Sequence, residues 1–241
     1  MRDLERKLNG RKTLCFIDLE GTQFSHEMIA IGAVRVDLHK DLTIKKYRKG
    51  YYSLVLPKQK IGKVVTDLTG LTEEKVKKEG KPFRVVINEL KKYMGREFTK
   101  TLFVAFGSHD FRILSQSLAY NLDAPKEDVR MMINHGFDFS EFISNYVRDE
   151  NNNTYSLSNM LKIFDVGFKG QQHNAYCDAL NLAYLYQAML DHPEIMKNEY
   201  KNVLKNIRHL PRPIHDVIQK LNEGETVTPE YFDKIVEESL K

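Results

Sequence analysis

The chain has 241 residues, with 37 Lys and Arg against 33 Asp and Glu, for a formal net charge of +4. At roughly 100–200 residues per domain this is one large domain, or a domain with an appendage. Its 41% hydrophobic and 29% charged residues exclude a wholly disordered chain. No run approaches the ~18 consecutive apolar residues of a membrane span. Met1 to Arg11 is charged throughout with no apolar segment behind it, so a secretory signal is not expected and a cytoplasmic location is. Cys15 and Cys177 are too few for a disulfide scaffold and form no zinc pattern; both read as small hydrophobes. Lys40, Lys45, Lys46, Arg48 and Lys49 cluster, and a second basic-rich stretch runs from Lys75 to Lys100. Either reads on its own as solvated surface.

Three extended segments come first: Thr13 to Leu19, Met28 to Val36, and Tyr51 to Leu56 ending at Pro57. Their short links predict an antiparallel meander. Helix signals follow. Thr72 reads as an N-cap before Glu73 and Glu74, with Lys77, Lys78 and Gly80 at the far end. After Pro82, Phe83, Ile87, Leu90 and Met94 recur at helical spacing until Gly95. Leu102 to Phe106 is an apolar strand running into a helix with Phe111, Leu114 and Leu118, an alternation that predicts parallel strands in the second half. Ser140–Val147, Ser156–Phe164 and Ala175–Leu190 read as helices, the last the longest. Beyond Asp191, Pro193, Pro211, Pro213 and Pro229 punctuate short charged amphipathic helices, with Thr228-Pro229 starting the last. Residues 191–241 therefore read as a helical extension, packed on the main domain or serving as a partner-binding arm.

Three places carry chemistry. Side chains alternate along a strand, so Asp18 and Glu20 share one face of an otherwise apolar segment and Ile17 and Leu19 the other. Two close carboxylates repel and lose hydration, a cost of several kcal/mol per buried ion. A hard divalent cation removes the conflict, and so does a strand end open to water. Asp110 follows a strand across Gly107-Ser108-His109, at the carboxyl end where open α/β sheets bind ligands. Taken alone, it reads first as a first-turn acid that stabilises the helix dipole. His173 and Asp178 are five apart, about 140° around one helix. They meet only if His173 lies on the loop before the helix and reaches back; otherwise it is a polar helix-start residue.

In order, these residues resemble the DEDDh exonucleases of the ribonuclease H-like superfamily. Asp18-Leu19-Glu20-Gly21-Thr22, Glu27 to Val34, Leu68-Thr69-Gly70-Leu71-Thr72, Gly107-Ser108-His109-Asp110 and His173 to Ala179 each look like a family segment. The resemblance runs from about Thr13 to about Leu190. It implies an α/β fold with a mixed five-stranded sheet flanked by helices over 1–190, followed by a C-terminal helical appendage. It implies stepwise 3′-to-5′ release of nucleoside 5′-monophosphates with two divalent ions, Mg²⁺ or Mn²⁺. Asp18 would bridge both ions, Glu20 and Asp178 would hold the one that carries the attacking water, and Asp110 would support the other. His173 would be the general base. Many family members have an acid before the last Asp; here Cys177 stands there, which puts hydrogen bonding around the ligands in doubt.

The resemblance also offers Gly21, Thr22, Phe24, Met28 and Leu71 for holding the terminal nucleotide, since bases stack on apolar surface without sequence preference. Core packing is the other reading of Met28 and Leu71. The Lys40–Lys49 cluster would guide the strand. Single-stranded RNA is favoured over DNA because the first and third segments look closest to the RNA-trimming branch. A proofreading-type DNA exonuclease and a non-catalytic nucleic-acid-binding module are the alternatives, and the C-terminal extension would be the place for a protein partner.

Overall fold

The computed structural model describes residues 2–207 and 210–240. In chain order the elements are α1 (Arg2–Leu8), β1 (Thr13–Gly21), β2 (Met28–Leu38), β3 (Ile44–Tyr47), β4 (Tyr51–Leu54), α2 (Lys63–Thr69), α3 (Glu73–Glu79) and α4 (Phe83–Met94). A 3₁₀ segment (Gly95–Lys100) leads to β5 (Leu102–Ala105), α5 (His109–Tyr120), α6 (Lys126–Asn134), β6 (Gly136–Asp138), α7 (Phe139–Ile143), α8 (Leu157–Ile163) and α9 (Ala175–Asp191). Three helices follow: α10 (Pro193–Lys205), α11 (Arg212–Asn222) and α12 (Pro229–Ser239).

β1 and β2 form the axis of the sheet, antiparallel from Thr13 opposite Asp37 to Gly21 opposite Met28. β5 and then β6 add in parallel on the far side of β1. The sheet is mixed, as expected, but has six strands rather than five. The extra strand arises because β3 and β4 share the outer edge of β2, one pairing with Val36–Leu38 and the other with Ala30–Ala33. The break between them falls at Arg48–Gly50. Gly50 is required there: a Cβ would lie 2.0 Å from the Tyr176 ring.

Strand alternation sorts β1 between two cores. Leu14 and Phe16 pack under α9 with Val34, Val36, Ala183 and Tyr186. Cys15, Ile17 and Leu19 pack on the opposite face with Ile87, Leu90 and Met94 of α4 and Ile113 and Leu114 of α5. Helix ends follow their signals. The Thr72 hydroxyl accepts from the Lys75 N–H, and α4 ends at Gly95 in a positive-φ conformation. The helix expected over 140–147 is shorter, ending at Ile143. The charged start is α1, whose Leu4 and Leu8, four apart, are wholly buried in the α9-side core.

The C-terminal helices lie in series. α10 buries Met196 in the α9-side core, whereas α11 buries no residue and α12 only Ile235. No helix among the described residues is long and apolar enough to cross a membrane.

Candidate active site

The apolar half of β1 ends at Ile17, and the face that carried Leu14 and Phe16 then carries Asp18 and Glu20. Across the ladder, Asp18 stands opposite Gly32 and Glu20 opposite Ala30. Gly32 has a specific task. A Cβ there would lie 2.1 Å from the carbonyl carbon and oxygen of Ala175, so only glycine lets the first turn of α9 rest on the strand. That approach delivers Asp178. Asp18, Glu20 and Asp178 each offer a carboxylate oxygen, all within 4.8 Å of one another.

Asp110 arrives differently. β5 pairs with β1 only as far as Phe16 and ends at Ala105, so β1 runs on beyond its neighbour. The Leu19 N–H lies in this overhang and donates to Asp110 Oδ1 at 2.7 Å. The Asp110 side of the contact comes from the first turn of α5, with the residue only 6% exposed. Asp110 thus closes the ladder and stands beside the three-carboxylate group without belonging to it.

These charges shape one another. Burial and then the carboxylates of Asp110, Asp178 and Glu20 push the Asp18 acid well above its usual range. Burial, Asp178 and Asp110 raise Glu20 to about 7. Asp178 rises to about 6 through burial, held back by the attraction of His173 and a hydrogen bond from its backbone. Burial raises Asp110 while the Leu19 N–H opposes the rise. Among the described residues no lysine or arginine offsets the charge on Asp18 or Glu20. An all-oxygen donor set with uncompensated negative charge fits hard divalent cations.

His173 lies on a turn before α9, exposed, with φ of 61°. The helix starts after Asn174, whose side chain accepts from the Cys177 N–H. The loop placement that lets a histidine five residues upstream reach back to Asp178 is therefore present. Asp18, His173 and Asp178 open onto a cavity of about 190 Å³ walled by Phe106, Leu157 and Phe168, with Ser156, Ser158 and Gln172 as further polar groups. Sequence pattern singled out none of these walls as functional. Ser156 carries a helix-start signal, and its hydroxyl does cap α8.

The five substrate-contact candidates separate. Phe24, at the tip of the β1–β2 connection, is 83% exposed. Gly21 sits at the irregular end of β1, where a Cβ would press on Ile113 at 3.0 Å. Thr22 is buried and shapes the turn: its Oγ1 accepts from the Glu27 N–H at 2.9 Å and shares a hydrogen bond with Ser25. Met28 and Leu71 must be corrected. Met28 is 0% exposed in the core beneath α4 and α5, and Leu71 is 5% exposed in a cluster with Ile29, Leu54 and Val76. Neither side chain presents a surface to a base. Two rings not singled out from sequence, His26 and His109, meet edge to face at 5.1 Å beside Asp110. The basic cluster is partly used up, since Arg48 pairs with Asp37. Cys15 is buried as expected, but Cys177 is only half-buried.

The model of the Exonuclease (RNase T) family matches residues 15–186. The chain belongs to the exonuclease family. The matched segment spans β1 to α9 and so contains Asp18, Glu20, Asp110, His173 and Asp178. The fold is shared with solved structures of nucleases. The nuclease domain of 3′hExo, a DEDDh family member bound to rAMP, is 19% identical, with a TM-score of 0.59, covering 76% of this chain and 93% of that one. A 3′-exonuclease recognising the 3′ end of a histone mRNA stem-loop is 18% identical, with a TM-score of 0.61 over 75% and 82% of the two chains. E. coli exonuclease I with a dA16 oligonucleotide is 14% identical, with a TM-score of 0.57 over 81% of this chain but 44% of that one. No curated protein sequence matches significantly.

Proposed function

We propose that this exonuclease removes nucleoside 5′-monophosphates one at a time from the 3′ end of single-stranded RNA, with divalent metal ions. The observation that carries the reading is the convergence of carboxylate oxygens of Asp18, Glu20 and Asp178 within 4.8 Å, with no lysine or arginine offsetting Asp18 or Glu20 among the described residues and with the exposed His173 beside Asp178. Asp18, Glu20 and Asp178 would hold the ions, Mg²⁺ or Mn²⁺, with Asp110 alongside. When bound, a pair of such ions neutralises the phosphate charge and eases ionisation of the attacking water. His173 takes the proton from that water on an imidazole nitrogen; a general base of this kind contributes roughly 10²–10⁴ in rate, and imidazole suits it because its unperturbed pKa lies near neutrality. Asp178 lies within electrostatic reach of that residue and takes a hydrogen bond from its backbone, which ties the base to the carboxylate group. The walls of Phe106, Leu157 and Phe168 narrow the access of bulk water. Phe24, free at the tip of its turn, offers the stacking surface for a base.

RNA preference rests on the likeness of Asp18–Thr22 and Leu68–Thr72 to the RNA-trimming branch. The rAMP- and mRNA-bound neighbours support it, and the dA16 complex of exonuclease I supports the DNA alternative. The exposed Leu221 and Phe232 of the last two helices, with Leu240 just beyond them, support a protein partner there. The test of the activity is a 5′-labelled RNA oligonucleotide incubated with Mn²⁺, beside DNA of the same sequence. A ladder shortening from the 3′ end one nucleotide at a time, abolished by EDTA, is the expected result. Faster digestion of the DNA would end the RNA assignment. Binding without hydrolysis would leave a non-catalytic module.

A further inference from the structure

The loop that carries His173 is held from behind by a buried amide outside the carboxylate group. Asn181, on α9 and 0% exposed, spends its whole carboxamide on this task. Its Oδ1 accepts from the Lys169 N–H at 2.9 Å, and its Nδ2 donates to the Lys169 carbonyl and to the Cys177 carbonyl, both at 2.8 Å. One side chain thus grips both polar groups of a single loop residue and ties them to the helix turn that bears Asp178. Two further contacts press the same stretch onto α9. The Lys169 ammonium sits 4.4 Å from the centre of the Tyr184 ring. Gly170, at φ of 87°, lies so close that a Cβ would be 2.5 Å from Cys177 Sγ. From there the chain has only Gln171 and Gln172 to cross before His173, and Asn174 then fixes the start of the helix. Loop ends are ordinarily the first parts of a fold to open; this one is fastened on both sides of the histidine.

We propose that Asn181 is a positioning residue for the reaction, acting through His173: it sets the height of the loop over α9 and so the reach of the imidazole. The inference rests on the nuclease reading above for its kinetic arm and is independent of it for its structural arm. Asn181 faces neither the cavity nor the carboxylate group, so its loss should reach the chemistry by displacing the base. Displacements of about 1 Å cost on the order of 10²-fold in rate.

The experiment compares wild type, Asn181→Ala, His173→Ala and the double variant by hydrolysis of a 5′-labelled RNA with Mn²⁺, by amide hydrogen exchange over 166–173, and by calorimetric Mn²⁺ binding. Expected for Asn181→Ala is a kcat lower by about 10–100-fold with KM within about 2-fold, exchange over 166–173 faster by at least about 10-fold, and Mn²⁺ affinity unchanged. In the His173→Ala background the same substitution should cost less than about 2-fold, because residues that act as one unit are not additive. An equal loss in both backgrounds, or unchanged exchange, overturns the proposal. If wild type hydrolyses neither RNA nor DNA, the nuclease reading fails, and the exchange result alone decides whether Asn181 fastens the loop. Should Asn181→Ala not fold, Gly170→Ala carries the same cycle, since at φ of 87° its Cβ would press on Cys177 Sγ and shift the loop beside Lys169 while the Asn181 side chain is kept.

Discussion

The two halves of β1 lie on one strand and face one way, yet they serve opposite ends. Leu14 and Phe16 are fully buried against α9 in an apolar cluster. Asp18 and Glu20, the next two positions on that face, are pressed against other acids. The first pair holds the sheet to its helix. The second pair opposes folding in the absence of a cation. Four consecutive positions on one face thus show where the strand stops contributing stability and starts contributing chemistry.

Exchanging these contributions should separate them. Asp18→Asn should lower hydrolysis on the order of 10³-fold, the several kcal/mol expected when cation binding is lost. It should also raise the melting temperature of the metal-free protein, because it deletes a repelled charge. Phe16→Ala should do the reverse, costing about 3–5 kcal/mol of stability with the residual folded fraction still active. Calorimetry in EDTA beside an RNA-hydrolysis assay reads both, and a metal-free Asp18→Asn melting below wild type would refute the contrast.

Gly32 joins the halves, and its replacement sharpens the comparison. Gly32→Ala puts a methyl group into the backbone of Ala175 and should cost about 1–3 kcal/mol, the usual scale of overpacking. It should also lift α9, weakening Mn²⁺ binding in calorimetry more than Phe16→Ala does.

The smallest expected effect is a pH dependence confined to the carboxylate half. Glu20 at about 7 and Asp178 at about 6 sit above their unfolded values. The folded protein therefore binds more protons than the unfolded chain between roughly pH 4 and 7, and stability falls as pH rises through that window. In EDTA the melting temperature should drop by a few degrees from pH 4.5 to 7.5 relative to a Glu20→Gln/Asp178→Asn double variant, which lacks both titrating acids, and Mn²⁺ at pH 7.5 should restore it. Equal pH profiles for the two proteins would contradict this account.

Much of this was legible from sequence where a pattern had length or a specific cap. α3 and α4 showed both their ends and, for α4, an apolar stripe. β1 showed its alternation, and the distance from His173 to Asp178 required a loop that is present. β3 and β6 carry no apolar run: β3 is half lysine, and β6 is Gly-Phe-Asp, three residues long. α2 buries nothing, so it has no stripe to read. α1 was hidden by its charges, though Leu4 and Leu8 are correctly spaced for one buried face. The contact residues divide for a different reason. Composition makes Phe24, Met28 and Leu71 equivalent hydrophobes, and only tertiary packing decides that the first is free and the others are not. Gly32 and Asn181 show the same limit: each matters because of a backbone far away in sequence.

The divided outer border of the sheet has a consequence for how the molecule behaves in company. A continuous flat edge exposes a row of unpaired amides that a second chain can extend, the route to edge-to-edge aggregation. Here the border is cut into two four-residue pieces at Arg48–Gly50, with the Tyr176 ring close against Gly50 and exposed Lys45 and Lys46 on the first piece. Neither four-residue piece offers a row long enough to template a stranger.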